Sequence, residues 1–220
     1  MCQSPRQCYN LDMNQSFKNS FSSNEWQLFQ LLKSPALIQD WLNALPFNFE
    51  KNGETNYSPR SVIKNKTAHC LEGALLAATA LRVHGQRPLI LDLEASGKDQ
   101  DHVVALFKHH DHWGAISKTN HAVLRYREPI YRSVRELVMS YFHEYFLQSD
   151  GRKTLRGWAA VDLSRFDQLN WMTSIENLDY VVEHLWKISH RSLLNSSQIK
   201  SLRSADAIEI RSGEIVEFLQ

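Results

Sequence analysis

The chain has 220 residues, 43% of them hydrophobic and 22% charged, with 25 lysines and arginines against 24 acidic residues. That length and mix describe one good-sized globular domain, or a domain with an extension, and a net charge of +1 gives no bulk field for nucleic acid or an anionic membrane. No apolar run reaches the roughly 18 residues of a membrane span, and the opening "MCQSPRQCYNLDMNQSFKNS" lacks the apolar core of a secretory signal. Three cysteines, at positions 2, 8 and 70, make no disulfide framework. A bridge between Cys2 and Cys8 would staple only a polar tail. The expectation is a reduced, cytoplasmic protein with neither a nucleic-acid nor a membrane partner.

Residues 1–22 are polar, rich in Asn, Gln and Ser, and are read as a poorly ordered tail. A helix is predicted from near Asn24, carrying Trp26, Leu28, Phe29 and Leu32. Ser34-Pro35 reads as a cap and first residue of the next helix, with Leu37, Trp41, Leu42 and Leu45 on one stripe and Pro46 as its stop. "FEKNGETNYSPR" is a loop by its Asn-Gly and Ser-Pro content. "HCLEGALLAATALRV" is the strongest helix of the chain, with Thr67 as its candidate N-cap.

Three strands follow: "PLILDLEA", "DHVVALF" and "WGAIS", the last two joined through a turn in "KHHDH". A long helix is expected from Glu128-Pro129 to about Phe146, since Tyr131, Val134, Val138, Tyr141 and Tyr145 recur at helical spacing. "WAAVDLS" reads as a strand, Thr173 to Glu176 as a capping box, and "IEIRSGEIVEF" as a hairpin around Ser212-Gly213. The fold class is α+β: N-terminal helices packed on an antiparallel sheet, with a core over 23–150 and a C-terminal α/β extension over 151–220 packed on the same domain.

Cys70 stands where a polar run meets this helix. Backbone N–H groups of a first helical turn have no partner within the helix, and the dipole there favours negative charge. A thiolate is stabilised at such a place, and the thiolate is the reactive form. Gly73, Ala74 and Ala77 on the same face would let a strand approach closely. The competing reading is a buried structural cysteine, a common fate of the residue. Against it stands the polar run "IKNKTAH" just before Cys70.

A nucleophilic cysteine needs a base, and the base an orienting partner. Among ten histidines, His102 is set apart because it opens the alternating strand "HVVALF". With His109 and His110 as the turn tip, Ser117 lies opposite His102; a four-residue tip puts Thr119 there instead.

"HCLEGALLAATALRVHGQRP", "DHVVALF" and "WGAIS", in that order, resemble the core of the transglutaminase-like superfamily within the papain-like cysteine-enzyme fold. In that family a Cys opens an Ala/Leu-rich helix, a strand then begins with His, and a Trp lies about eleven residues on; Cys70, His102 and Trp113 match. The resemblance covers roughly residues 60–120. It departs at Ser117, where the family usually has Asp, so a triad of Cys70, His102 and Ser117 has a neutral orienter, with Asn120 as a second candidate.

What the resemblance implies is acyl transfer without cofactor. Cys70 would attack a carbonyl of a peptide, a protein or a small amide or acyl substrate, and His102 would move the proton. The Cys70 N–H and an upstream donor, for which Asn65 lies in the right region, would meet the oxyanion. Water as acceptor makes a protease or amidase; an amine makes a transglutaminase or acyltransferase.

Arg125 and Arg127 are candidates for a substrate carboxylate, against the plainer reading of a solvated charged face. His109, His110 and His112 read as a solvated turn, with no metal assigned. Two other classes remain open: a catalytically inactive transglutaminase-like binding module, and a metal-binding protein using Cys70 and histidines. The sequence does not specify an oligomeric state.

Overall fold

The computed structural model describes residues 17–97 and 99–220; Cys2 and Cys8 lie outside them. Helices α1 (Ser23–Leu31), α2 (Pro35–Asn43), α3 (Pro59–Asn65) and α4 (Cys70–Val83) come first. Strands β1 (Leu89–Ala95), β2 (His102–His109), β3 (His112–Ile116) and β4 (Arg127–Tyr131) follow, then α5 (Val134–Tyr141), β5 (Leu155–Asp162), α6 (Asp179–Lys187), β6 (Arg191–Ser192), α7 (Ser196–Lys200) and α8 (Ala207–Gly213). The chain is thus α+β, built on one six-stranded antiparallel sheet in the order β4-β3-β2-β1-β5-β6. Strands β5 and β6, from the segment read as an extension, belong to that sheet.

Alternation sorts the strand residues onto two cores. Ile90, Val103, Ala105, Phe107, Ile116 and Val161 face a cluster containing α4 and the helices before it. Leu91, Leu93, Val104, Leu106, Ala115 and Leu155 face a second cluster with Leu137, Val138 and Tyr141 of α5. Both faces of the sheet are therefore covered. Each fully buried Leu or Ile adds about 1.5–3 kcal/mol of transfer free energy, and Leu75, Leu76, Ile90, Leu91 and Leu93 are all at 0% exposure.

Local signals explain where the sequence reading departs from this fold. The stretch expected as one long helix from Glu128 splits into an edge strand and a shorter helix. Pro129 has no N–H and is tolerated on an edge strand, and β4 pairs through Tyr131 with Trp113. Ser133, extended, then caps α5 by accepting from the Glu136 N–H. "IEIRSG" is helical rather than a hairpin arm: the Asp206 N–H donates to the Glu209 carboxylate at 2.6 Å and opens α8. Thr173 to Glu176 form a turn, not a capping box; the Ser174 hydroxyl accepts from the Glu176 N–H, and α6 starts later, after Leu178. Within the stretch read as a tail, Phe21 is buried and Ser22 caps α1 through a reciprocal pair with Glu25.

The β2–β3 turn consists of His110 and Asp111, both in the left-handed region at φ 46° and 62°. His109 pairs with His112 and Ala105 with Ile116, so the register lies two residues from the one that sets Ser117 opposite His102. Continued to the strand end it places Thr119 across from His102, and Ser117 becomes the diagonal neighbour, still within reach of a long side chain.

Small residues on α4 serve the close packing they suggested. A Cβ on Gly73 would stand 2.5 Å from the Cβ of Lys118. The clash falls on the root of that side chain, which the chain itself fixes. Gly73→Ala should therefore destabilise the fold by about 1–3 kcal/mol, the usual cost of overpacking. Chemical denaturation of the two proteins checks it; equal midpoints would mean that Lys118 yields freely.

Candidate active site

The start of α4 is organised by a buried carboxylate. His69, extended at φ −94° and ψ −171°, is the N-cap in place of the expected Thr67, whose hydroxyl instead donates to the Pro46 carbonyl. Glu72, at 0% exposure, accepts from the His69 N–H at 2.9 Å, the Tyr57 N–H at 3.0 Å and the Thr55 hydroxyl at 2.8 Å. The Asn48 amide donates to both its oxygens. One side chain thus caps the helix and ties the loop of residues 48–57 against it. Cys70, half-buried, is the first helical residue, where the dipole favours a thiolate.

Two imidazoles meet this thiol. The His69 Nε2 lies 2.8 Å from the Thr55 carbonyl, an acceptor only, so that nitrogen carries a proton. Burial pushes the Cys70 thiol up, but hydrogen bonds from His102 and His69 and the charges of both outweigh it and hold it well below its usual range. Burial pushes His69 down, yet hydrogen bonding to Cys70, the charges of Cys70 and Glu72 and the bond to Thr55 raise it to about 9. His69 was not singled out in the sequence. Its signal was the adjacency of His to Cys at a helix start, with Glu three residues after the His.

His102 is buried at the first position of β2, and its Nε2 lies 2.8 Å from the Ser117 hydroxyl oxygen. The single hydroxyl proton of Ser117 goes to the Leu124 carbonyl at 2.6 Å. Ser117 therefore accepts from the His102 Nε2–H, which leaves Nδ1 for the sulfur. The backbone of Ser117 is clamped by Gln39 of α2: its N–H donates to Oε1 at 2.9 Å and its carbonyl accepts from Nε2 at 2.8 Å. Next to it, buried Lys118 donates to the carbonyls of Leu42 and Leu45 at the end of α2. Burial lowers its pKa to about 8.

Cys70, His69 and His102 line an open cleft of about 660 Å³, with loop Asp99–Asp101, the stretch Lys118–His121 and Tyr145 around it. Of the other candidates only Asn120 lines it, and Asn120 does not touch His102: its side chain grips the backbone of Phe218. Asn65 ends α3, exposed and away from the cleft. Upstream, the cleft wall is Phe47–Glu50 instead, where the amide of Asn48 is committed to Thr55 and Glu72.

Trp113 sits on β3 against the second core. Arg125 bonds the His121 carbonyl and Glu217, while Arg127 bonds Ser140 and Glu144 and lies over the Tyr141 ring. Both arginines are structural ties in this geometry, and neither lines the cleft. Among the described residues no group of three or more His, Cys, Asp or Glu is placed to hold a metal ion. No helix among them is long and apolar enough to cross a membrane.

No protein-family model matches the chain, and no curated protein matches it. The solved structures similar to part of the chain include Legionella pneumophila LapG, in an EGTA-treated form and in a second form. Each is 15% identical over 49% of this chain, covering 69% and 71% of LapG with TM-scores of 0.34 and 0.33. The likeness is a remote one of fold.

Near the cleft lies a second titratable pair. Asp92 of β1 accepts from His190 Nε2 at 2.9 Å through Oδ2, while buried Oδ1 has no partner. Burial raises its pKa to about 6 against the pull of His190, helped by the charges of Asp101 and Cys70. The folded value exceeds the unfolded one, so the stability Asp92 contributes is present below about pH 4 and lost as pH rises through about 6. Asp92→Asn should keep above pH 6 the stability that the parent loses, read from denaturation midpoints at pH 4, 5 and 7. A parallel fall in both proteins would refute this.

The thiol itself makes a second prediction. An ordinary cysteine gains roughly seventyfold in thiolate between pH 6 and 8. Alkylation of Cys70 by iodoacetamide should be nearly flat over that interval. His102→Ala and His69→Ala should each restore the rise, His102→Ala the more strongly, with Cys70 followed by peptide mapping. A seventyfold rise in the parent would show a plain thiol.

Proposed function

We propose that the protein is a cysteine-dependent acyl-transfer enzyme of transglutaminase-like type, acting on an amide, peptide or other acyl bond. The observation that carries this reading is the thiol at the first residue of α4, lining an open cleft together with the imidazoles of His69 and His102. In this reading Cys70 is the nucleophile, His102 the general acid and base, and Ser117 the orienter. His69 is assigned to stabilising the thiolate.

The Cys70 thiolate attacks the carbonyl carbon, and a C–S bond forms as the C–O π pair moves to oxygen. The Cys70 N–H faces the developing oxyanion. On collapse the C–N bond breaks, and the His102 imidazolium gives its Nδ1 proton to the leaving amine. Water or a second amine then attacks the thioester. Neutral His102 takes the proton of the incoming group, and the C–S bond breaks to return the thiolate. Both acceptors satisfy this scheme.

Acylation by p-nitrophenyl acetate tests it without a known substrate. The expected result is a burst of nitrophenolate with acetyl found on Cys70 by mass spectrometry. Cys70→Ala should abolish the burst, and His102→Ala should slow it by roughly 10²–10⁴, the usual contribution of a positioned acid–base group. Ser117→Ala should slow acylation while costing only about 0.5–1.5 kcal/mol of stability. An undiminished burst in Cys70→Ala would refute the assignment.

A further inference from the structure

The cleft is not bare. The segment Glu214–Gln220 leaves α8 through a turn at Glu214 and runs beside the stretch Asn120–Ala122, paired with it by one antiparallel bridge between His121 and Val216 and bending at Glu217 and Phe218. The Ala122 N–H donates to the Ile215 carbonyl at 3.0 Å, and the Glu217 N–H to the Asn120 carbonyl at 2.9 Å. The Asn120 side chain closes the pairing: its amide donates to the Phe218 carbonyl at 2.9 Å, and its oxygen accepts from the Phe218 N–H at 2.8 Å. Gly213, just before the segment, and Gln220, its last residue, both line the cleft that holds Cys70 and His102.

Every bond just named is made to main chain. Recognition of that kind does not depend on side chains and suits any extended peptide, as when a strand is added to a sheet edge. The segment's own side chains hold little. Ile215 is 60% exposed and Leu219 88%, so neither is anchored in a core. The remaining contacts are Phe218 under the Lys118 ammonium at 5.2 Å and a partly exposed Glu217–Arg125 pair at 3.3 Å. Exposed pairs of this sort contribute little.

We propose that Asn120–Ala122 is a binding lane for extended peptide and that Glu214–Gln220 is its internal, displaceable occupant. A substrate or partner peptide would bind by replacing it, with Asn120 gripping one residue at both its N–H and its carbonyl. The inference deepens the reading of Cys70 as nucleophile only in naming an extended peptide as the substrate. Occupancy of the lane stands apart from catalysis.

Access to the thiol measures that occupancy. Phe218→Pro removes the N–H bonded to Asn120 and the ring under Lys118, on a segment outside both cores. Wild type and variant are treated with iodoacetamide, which is small, and with fluorescein maleimide, which is bulky. Labelling is read at Cys70 by peptide mapping, because the chain also carries Cys2 and Cys8. The variant should gain about five- to tenfold with the bulky reagent, the factor carried by one lost hydrogen bond. With iodoacetamide its rate should stay unchanged.

Glu217→Arg, which sets like charge against Arg125, should act in the same direction and guards against a folding defect in the Phe218→Pro protein. A synthetic peptide of residues 214–220, added to the Phe218→Pro protein, should restore protection from the bulky reagent. Equal rates in wild type and both variants, or no protection by the peptide, would overturn the proposal. A protein that fails to acylate with p-nitrophenyl acetate yet shows this selective gain would refute the enzyme reading and leave the lane standing.

Discussion

A single buried carboxylate, Glu72, sets the geometry on which the rest of the site depends. A carboxylate at 0% exposure is costly unless its oxygens are satisfied, and here the donors come from His69, Tyr57, Thr55 and Asn48. Satisfying it forces the loop of residues 48–57 to close over the start of α4. That closure brings the Thr55 carbonyl to the His69 ring, and the ring in turn to the thiol. The environment of Cys70 is thus built from the residue two places after it.

The opposite wall is organised by contacts to main chain. Gln39 offers an amide to both backbone groups of Ser117, much as a neighbouring strand would, just beyond the last β3 residue Ile116. Gly73 leaves room for Lys118 to lie against α4, and Lys118 binds carbonyls at the end of α2. The His102–Ser117 contact is therefore held by two helices as well as by the sheet. It survives a register in which the two residues are not directly opposed.

What was legible in the sequence follows from range. The α4 helix, the strands after it and the placing of Cys70 and His102 at the first positions of their elements depend on local periodicity, and these could be read. Ser117 could be named because a hairpin confines its partners to a few positions, although the turn of His110 and Asp111 moved the register by two. The long helix from Glu128 failed because apolar spacing cannot see that Pro129 lies on a sheet edge. Asn65 lies outside the cleft, whose upstream wall is made by Phe47–Glu50, and only the closing of the loop reveals this. Gln39, 78 residues from Ser117 in sequence, left no local trace.

The hydroxyl of Ser117 has a chemical consequence of its own. Its only proton is committed to the Leu124 carbonyl, so it faces the imidazole as a fixed lone pair rather than as a charge. A carboxylate there would be a further proton acceptor, competing for the proton that must reach the leaving group and gaining or losing one as the medium acidifies. With Ser117 the orienter carries no ionisation of its own. The contact that orients the His102 ring therefore neither gains nor loses a proton as the medium changes, and the ring keeps the same partner at Nε2.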